Sequence, residues 1–147
     1  MATQWTAGTT SGQVLTAATL NTIGAAWVDY TPTLTQGVTV TKTVAQARYC
    51  QFQKTIIGQV LLNVTSAGTA ATAVAIGLPF AVRTGTPMVG SGYIYDASTN
   101  VMYNCTFSGN ASIINGFYQT GFNFGVSPAI TLAASDQLSI QFSYEIA

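Results

Sequence analysis

The chain has 147 residues, 48% of them hydrophobic and 5% charged, with four basic side chains, four acidic ones and no histidine. That is enough apolar material for one domain with a real core. The charge is far below the usual quarter or so of soluble domains, so the exterior must be wetted by Thr, Ser, Asn and Gln or covered by other chains.

The four cations are scattered, which argues against a phosphate-binding cluster and a polybasic membrane contact. No run approaches the ~20 apolar residues of a spanning helix, and the opening lacks the basic start and apolar middle of a secretion signal. The expectation is a protein made in a cytoplasm, with no nucleic-acid partner and no membrane insertion. A net charge near zero removes a main protection against self-association. Much of the surface is therefore expected to be subunit interface.

Residues 1 to about 13 are small and polar around one large side chain, Trp5, and read as an arm. Residues 15–27 carry the one helix signal. Thr16 is placed to cap it, and Leu15 and Leu20 form a hydrophobic staple across the cap. Leu20, Ile23 and Trp27 recur at three and four residues, one helical stripe. So short a helix is marginal alone in water, and Gly24 weakens it by up to ~1 kcal/mol. It must dock on something. Residues 1–29 are thus expected to be an anchor, with Trp5, Leu15, Leu20, Ile23 and Trp27 as its contacts.

From Tyr30 onward the pattern is strand after strand. Tyr30 to Thr35 contains Pro32 and belongs on an edge. Gly37 to Val44 puts Val38, Val40 and Val44 on one face. Residues 45–53 continue as a second extended run. Lys54 to Thr65 is the central strand, with Ile56, Gly58, Val60, Leu62 and Val64 facing a core. Residues 70–78 alternate Thr72, Val74, Ile76 and Leu78 with small residues that permit a close approach. Val89 to Tyr95, Val101 to Phe107, Ala111 to Gln119 and Ala129 to Ala133 read as further strands. A hairpin is expected at residues 108–110 and a bulge at Asn115-Gly116. The last strand alternates without a fault, Leu138, Ile140, Phe142, Tyr144 and Ile146 inward. Eight to ten short strands with Gly and Pro turns predict an all-β domain over residues 30–147, an antiparallel sandwich of jelly-roll type, with an up-and-down barrel as the alternative.

Chemistry is hard to find in this composition. Without histidine there is no imidazole base, no Ser-His-Asp triad and no His metal ligand. Asp96 and Asp136 sit in turn signals, where Asp serves the local backbone. No phosphate-binding loop, dinucleotide fingerprint, calcium loop or CxxC pair is present. No catalytic residue, cofactor or metal is expected. Cys105 has the phase of a core residue, and Cys50 is opposite in phase to Ala47 and Tyr49. A disulfide between them would need neighbouring strands, and synthesis in a cytoplasm argues against one. Aromatic side chains among amides and hydroxyls suit neutral sugars as well as a core. Residues 121–125, GFNFG, are the least core-like of these, which makes Phe122, Asn123, Phe124 and the nearby Tyr118 candidate glycan contacts.

The opening segment resembles that of bacteriophage tail-fibre-like and minor virion proteins. Trp5, Gly8, Leu15, Thr16, Ala17, Leu20 and Asn21 carry the likeness. Tyr30, Thr31, Pro32, Arg48, Tyr49 and Lys54 carry a second part, with Gln53 where the family pattern has Gly. Residues 76–82, IGLPFAV, also have a counterpart. The likeness covers about the first 80 residues, the remainder by general pattern alone. It implies a non-enzymatic virion protein, commonly a homotrimer, held to other tail or capsid proteins by residues 1–29. Two placements follow: a tail-associated fibre or knob touching a host surface glycan, which the fibre-like opening motifs favour, or a capsid decoration protein that cements the head; the modest length favours decoration or a small tip. A free carbohydrate-binding module is a third reading.

Overall fold

The computed structural model describes residues 26–85, 89–110, 112–117 and 123–146. The predicted helix and its contacts Trp5, Leu15, Leu20 and Ile23 lie outside the described residues, as do Tyr118 and Phe122.

The described residues form ten strands and no helix: β1 (Val28–Asp29), β2 (Leu34–Gln36), β3 (Val38–Thr39), β4 (Lys42–Phe52), β5 (Thr55–Val64), β6 (Val74–Gly77), β7 (Val89–Asp96), β8 (Val101–Asn110), β9 (Ile113–Phe117) and β10 (Gln137–Glu145). Every pairing is antiparallel, in the order β1-β4-β5-β10-β7-β8-β9-β6-β2-β3.

One face of this long ladder is buried between its two exposed rim strands, β1 and β3. Leu34, Val74, Ile76 and Ile114 come from one wing, Ile56, Val60, Leu62, Leu138 and Ile140 from the other, and all join a single core. A flat sheet cannot bury one face against itself. The chain also passes from β3, at one rim, to β4, beside the other rim, through Val40 and Thr41 alone. The sheet therefore bends round into two layers over one core, a sandwich-like all-β fold.

β5 and β10 form the middle of the broader wing, paired from Thr55 and Glu145 to Asn63 and Gln137. The inward set Ile56, Gly58, Val60, Leu62 and Val64 is buried as expected, and so are Leu138, Ile140, Phe142 and Tyr144. Phe142 stands between Gly58 and Gly90 in one cross-strand row. A Cβ on Gly58 would fall on the Phe142 ring, so the missing side chain there is what lets the ring lie down on the sheet.

Several expectations change. Residues 37–53 divide at Val40 and Thr41, not at Val44: Val38 ends in the short rim strand β3 and is half exposed, and β4 begins at Lys42. A register shift between Val44 and Gln46 inserts one extra residue, so Val44 and Ala47 face the same way although three apart. No such shift interrupts the β8–β9 pairing at Asn115-Gly116, and that ladder runs regularly through Asn110 rather than turning at residues 108–110. Residues 70–73 form a turn with Ala71 at φ 57°, and only Val74 to Gly77 pair. Pro32 lies between strands, and the sheet starts two residues before Tyr30, with Val28 opposite Tyr49 and Asp29 opposite Arg48.

Residues 129–133 are buried at Ile130 and Leu132 yet pair with no strand. Their backbone is met by a side chain. Gln36, 0% exposed, donates from Nε2 to the Ile130 carbonyl at 2.6 Å and to the Thr72 carbonyl at 3.3 Å, and its Oε1 accepts from the Leu132 amide at 2.8 Å. The buried amide thus does for this segment what a neighbouring strand does elsewhere.

Candidate functional site

The aspartates serve the turns. Asp96 Oδ1 accepts from the Ser98 amide at 2.9 Å, the Ser98 hydroxyl at 2.6 Å and the Thr99 amide at 3.2 Å. The Ser98 hydroxyl foremost holds its carboxyl below the usual range. Asp136, fully buried, accepts from the Ala97 amide at 2.9 Å and the Ala133 amide at 2.8 Å, tying two turns together. Each carboxylate is taken up by backbone donors, the opposite of a poised acid-base pair. Among the described residues no three His, Cys, Asp or Glu side chains converge as a metal group.

Cys105 is buried, its thiol pushed up to about 12 by desolvation, and Cys50 is a free, half-buried thiol. They lie on opposite faces of strands β8 and β4, which three other strands separate, and no disulfide joins them. Tyr30, Tyr49 and Phe80 make edge contacts at 5.8 and 5.4 Å at one end of the core. Beside them the Tyr144 hydroxyl donates to the Phe80 carbonyl at 3.0 Å and accepts from its amide at 3.2 Å. Burial pushes Tyr144 up to about 12 and raises Tyr30, whose hydroxyl is buried without a hydrogen-bond partner.

Of the candidate glycan contacts, the described ones are Asn123 and Phe124. Phe124 is 0% exposed and meets Tyr103 edge-on at 5.7 Å, so its ring is core and offers no face to a ligand. Asn123 is half buried, with its Oδ1 enclosed and unpartnered. Trp27 departs from its helical assignment. It precedes β1 in non-helical chain, 47% exposed, with the Arg48 guanidinium 4.8 Å from its ring centroid.

The outer face of the broader wing holds the feature that sequence reasoning missed. Register aligns Arg48, Gln59, Gln141, Ser91 and Thr106 across β4, β5, β10, β7 and β8. The neighbouring row is Cys50, Ile57 and Ser143. Between them lies a groove of about 540 Å³ lined by Trp27, Ile57, Gln59, Ser91, Thr106, Gln141 and Ser143, with the backbone around Gly58, Phe142 and Gly90 as its floor. A second depression of about 510 Å³ continues past Ser91 and Thr106 to Tyr93 and Asn104. Among the described residues no charged side chain lines either. Arg48 borders the first, but its guanidinium is engaged. It covers part of Trp27 and donates to Gln59 Oε1 at 2.6 and 2.7 Å and to Gln46 Oε1 at 3.2 and 3.3 Å, the amide orientations that satisfy both partners.

This surface can hold an uncharged molecule by an aromatic plate, amides and hydroxyls. Among the described residues that line it there is no carboxylate and no lysine. No family model, no curated protein and no solved structure matches the chain.

Proposed function

We propose that the chain is a non-enzymatic structural protein of a bacteriophage particle, tail-associated and fibre- or knob-like. Residues 1–29 fasten it to other virion proteins, the β-domain faces outward toward a host surface glycan, and copies assemble as a homotrimer. The finer fold description, a jelly roll behind a short helix, belongs to the same proposal. Besides the sequence resemblance, one observation carries the reading: a nearly charge-free surface leaves large apolar side chains in water. Trp27, Phe52 and Ile57 stand exposed near one corner of the outer face, Val28 at the rim strand β1, and Val38, Val101, Met102, Ile113 and Val126 elsewhere. Exposed apolar area of this kind fits a subunit whose surface is covered by neighbours.

The spread of these residues over both rims and the outer face favours several neighbours at once. That supports a second reading, a capsid decoration protein.

The test is location in purified particles, by mass spectrometry and reconstruction, together with a chain lacking residues 1–25. This truncation keeps Trp27 and β1. Density at the tail supports the first reading and density on the head the second. A chain absent from particles, or a truncated one that still joins them, overturns the proposal.

A further inference from the structure

We infer that the outer-face groove of the broader wing is a binding site for a neutral saccharide, seated on Trp27. The inference deepens the host-contact part of the reading above and takes only its biological setting from it, because the groove is complete within one chain.

Three observations converge. The volume, about 540 Å³, lies within the ~300–1,000 Å³ of small-molecule sites. The lining combines one exposed indole with two amides, Gln59 and Gln141, and three hydroxyls, Ser91, Ser143 and Thr106. A sugar ring asks for this mixture: an apolar C–H face to stack on an aromatic plate, and hydroxyls that both donate and accept around its edge. The third observation is charge. Among the described residues no ionised side chain lines the groove, and the one cation at its border is spent on Trp27 and two glutamines, with Asp29 opposite it in the register. An anionic ligand finds no free cation among the described lining residues, and Asp29 stands outside the lining.

The geometry also explains why the indole stays in place. Arg48 covers part of the ring and is itself held by Gln59 and Gln46, so Trp27 is ordered before any ligand arrives. The floor is the backbone of Gly58, Phe142 and Gly90, a row that faces inward.

The experiment uses the full chain carrying Trp5→Phe, so that fluorescence reports Trp27. It is titrated with maltotriose, lactose, N-acetylglucosamine trimer and mannotriose, and with digalacturonate as the charged control. The expected result is a saturable change with at least one neutral sugar in the millimolar range or tighter. Trp27→Ala, with an unchanged circular dichroism spectrum, weakens binding at least tenfold by calorimetry. Gln141→Ala and Thr106→Val, exposed and far less disruptive, each weaken it several-fold. No saturable response to any neutral sugar overturns the inference. So does undiminished binding by Trp27→Ala, preference for digalacturonate, or a Trp27 signal that tracks self-association by sedimentation instead of added sugar. The last result assigns the groove to a second copy of the chain. Because the titration uses isolated protein, its failure leaves the virion reading standing, and absence of the chain from particles leaves the groove standing.

Discussion

Replacing Gln36 by Leu tests whether one buried amide substitutes for a strand. The side chain makes three hydrogen bonds, at 2.6, 2.8 and 3.3 Å, to segments 36 to 96 residues away in sequence. Leucine removes all three and leaves the Leu132 amide and the Ile130 carbonyl enclosed. An orphaned buried polar group costs ~1–3 kcal/mol, so two cost about 4 kcal/mol at mid-range. Total stabilities run to ~5–15 kcal/mol, and a loss of this size removes a large part of the margin. Urea denaturation followed by circular dichroism measures it, with hydrogen exchange at the Leu132 amide as the local readout. Gln36→Glu sharpens the test, because the introduced carboxyl meets two carbonyls where Nε2 had donated. Burial raises its folded pKa above the unfolded value near ~4.3. The folded state then holds the extra proton, so stability is highest below that unfolded value and falls as pH rises through the folded one. A Gln36→Leu protein within ~0.5 kcal/mol of the parent, or a Gln36→Glu protein whose stability rises with pH over that range, would show that the amide is not what holds residues 129–133.

Four further outcomes are expected. Val60 is 2% exposed in the middle of β5, so Val60→Asp puts an unpaired charge in the core and should leave no soluble native protein on gel filtration. Gln53 and Ala71 sit at φ 52° and 57°, where a Cβ is disfavoured, so Gln53→Gly and Ala71→Gly should each gain up to ~1 kcal/mol. Thermal melts should show this as roughly 2–4 °C for a chain of this size, and unchanged or lowered midpoints in both would count against the strain. Cys105 and Tyr144 are both pushed up to about 12 by burial and ionise earlier once unfolded, near ~8.5 and ~10. The native state holds the extra protons, so stability should fall as pH rises from about 8.5 toward 12. A thiol reagent at neutral pH should label Cys50 first and Cys105 only on unfolding, and equal rates would contradict the burial.

How far the fold was legible depended on whether the bonding partner was local. β5 and β10 alternate without interruption, and their inward faces could be read directly. The turns at Asp96 and Asp136 were equally plain, because Asp captures backbone amides two or three residues away. The bulge in β4 was not legible, since one added residue changes phase without changing composition. Residues 129–133 imitate a strand in pattern, and only Gln36, nearly a hundred residues away, decides otherwise. The GFNFG stretch looked like an exposed aromatic loop because Gly and Asn dominate loops, yet Phe124 turns inward onto Tyr103. The groove was hidden for a further reason. Its polar residues come from four strands and are collected only by register. The mixed outer face of β5 and the wet face of β10 were visible as patterns, but the two strands are not consecutive and nothing local pairs Gln59 with Gln141. Trp27 was masked by its helical spacing to Leu20 and Ile23.

The two-residue passage through Val40 and Thr41 limits how copies of this molecule can join. Exchange of an element between copies requires a connector that can straighten and reach across to another body. Here the connector spans opposite rims of one curled sheet. Val40 is fully buried, its amide is bonded to the Leu34 carbonyl at 2.9 Å, and Thr41 accepts from the Thr65 amide at 2.9 Å. Pulling it straight would unzip both rims and open the interior of the donor. Exchange of an element between copies by way of Val40 and Thr41 would therefore open the donor's own core.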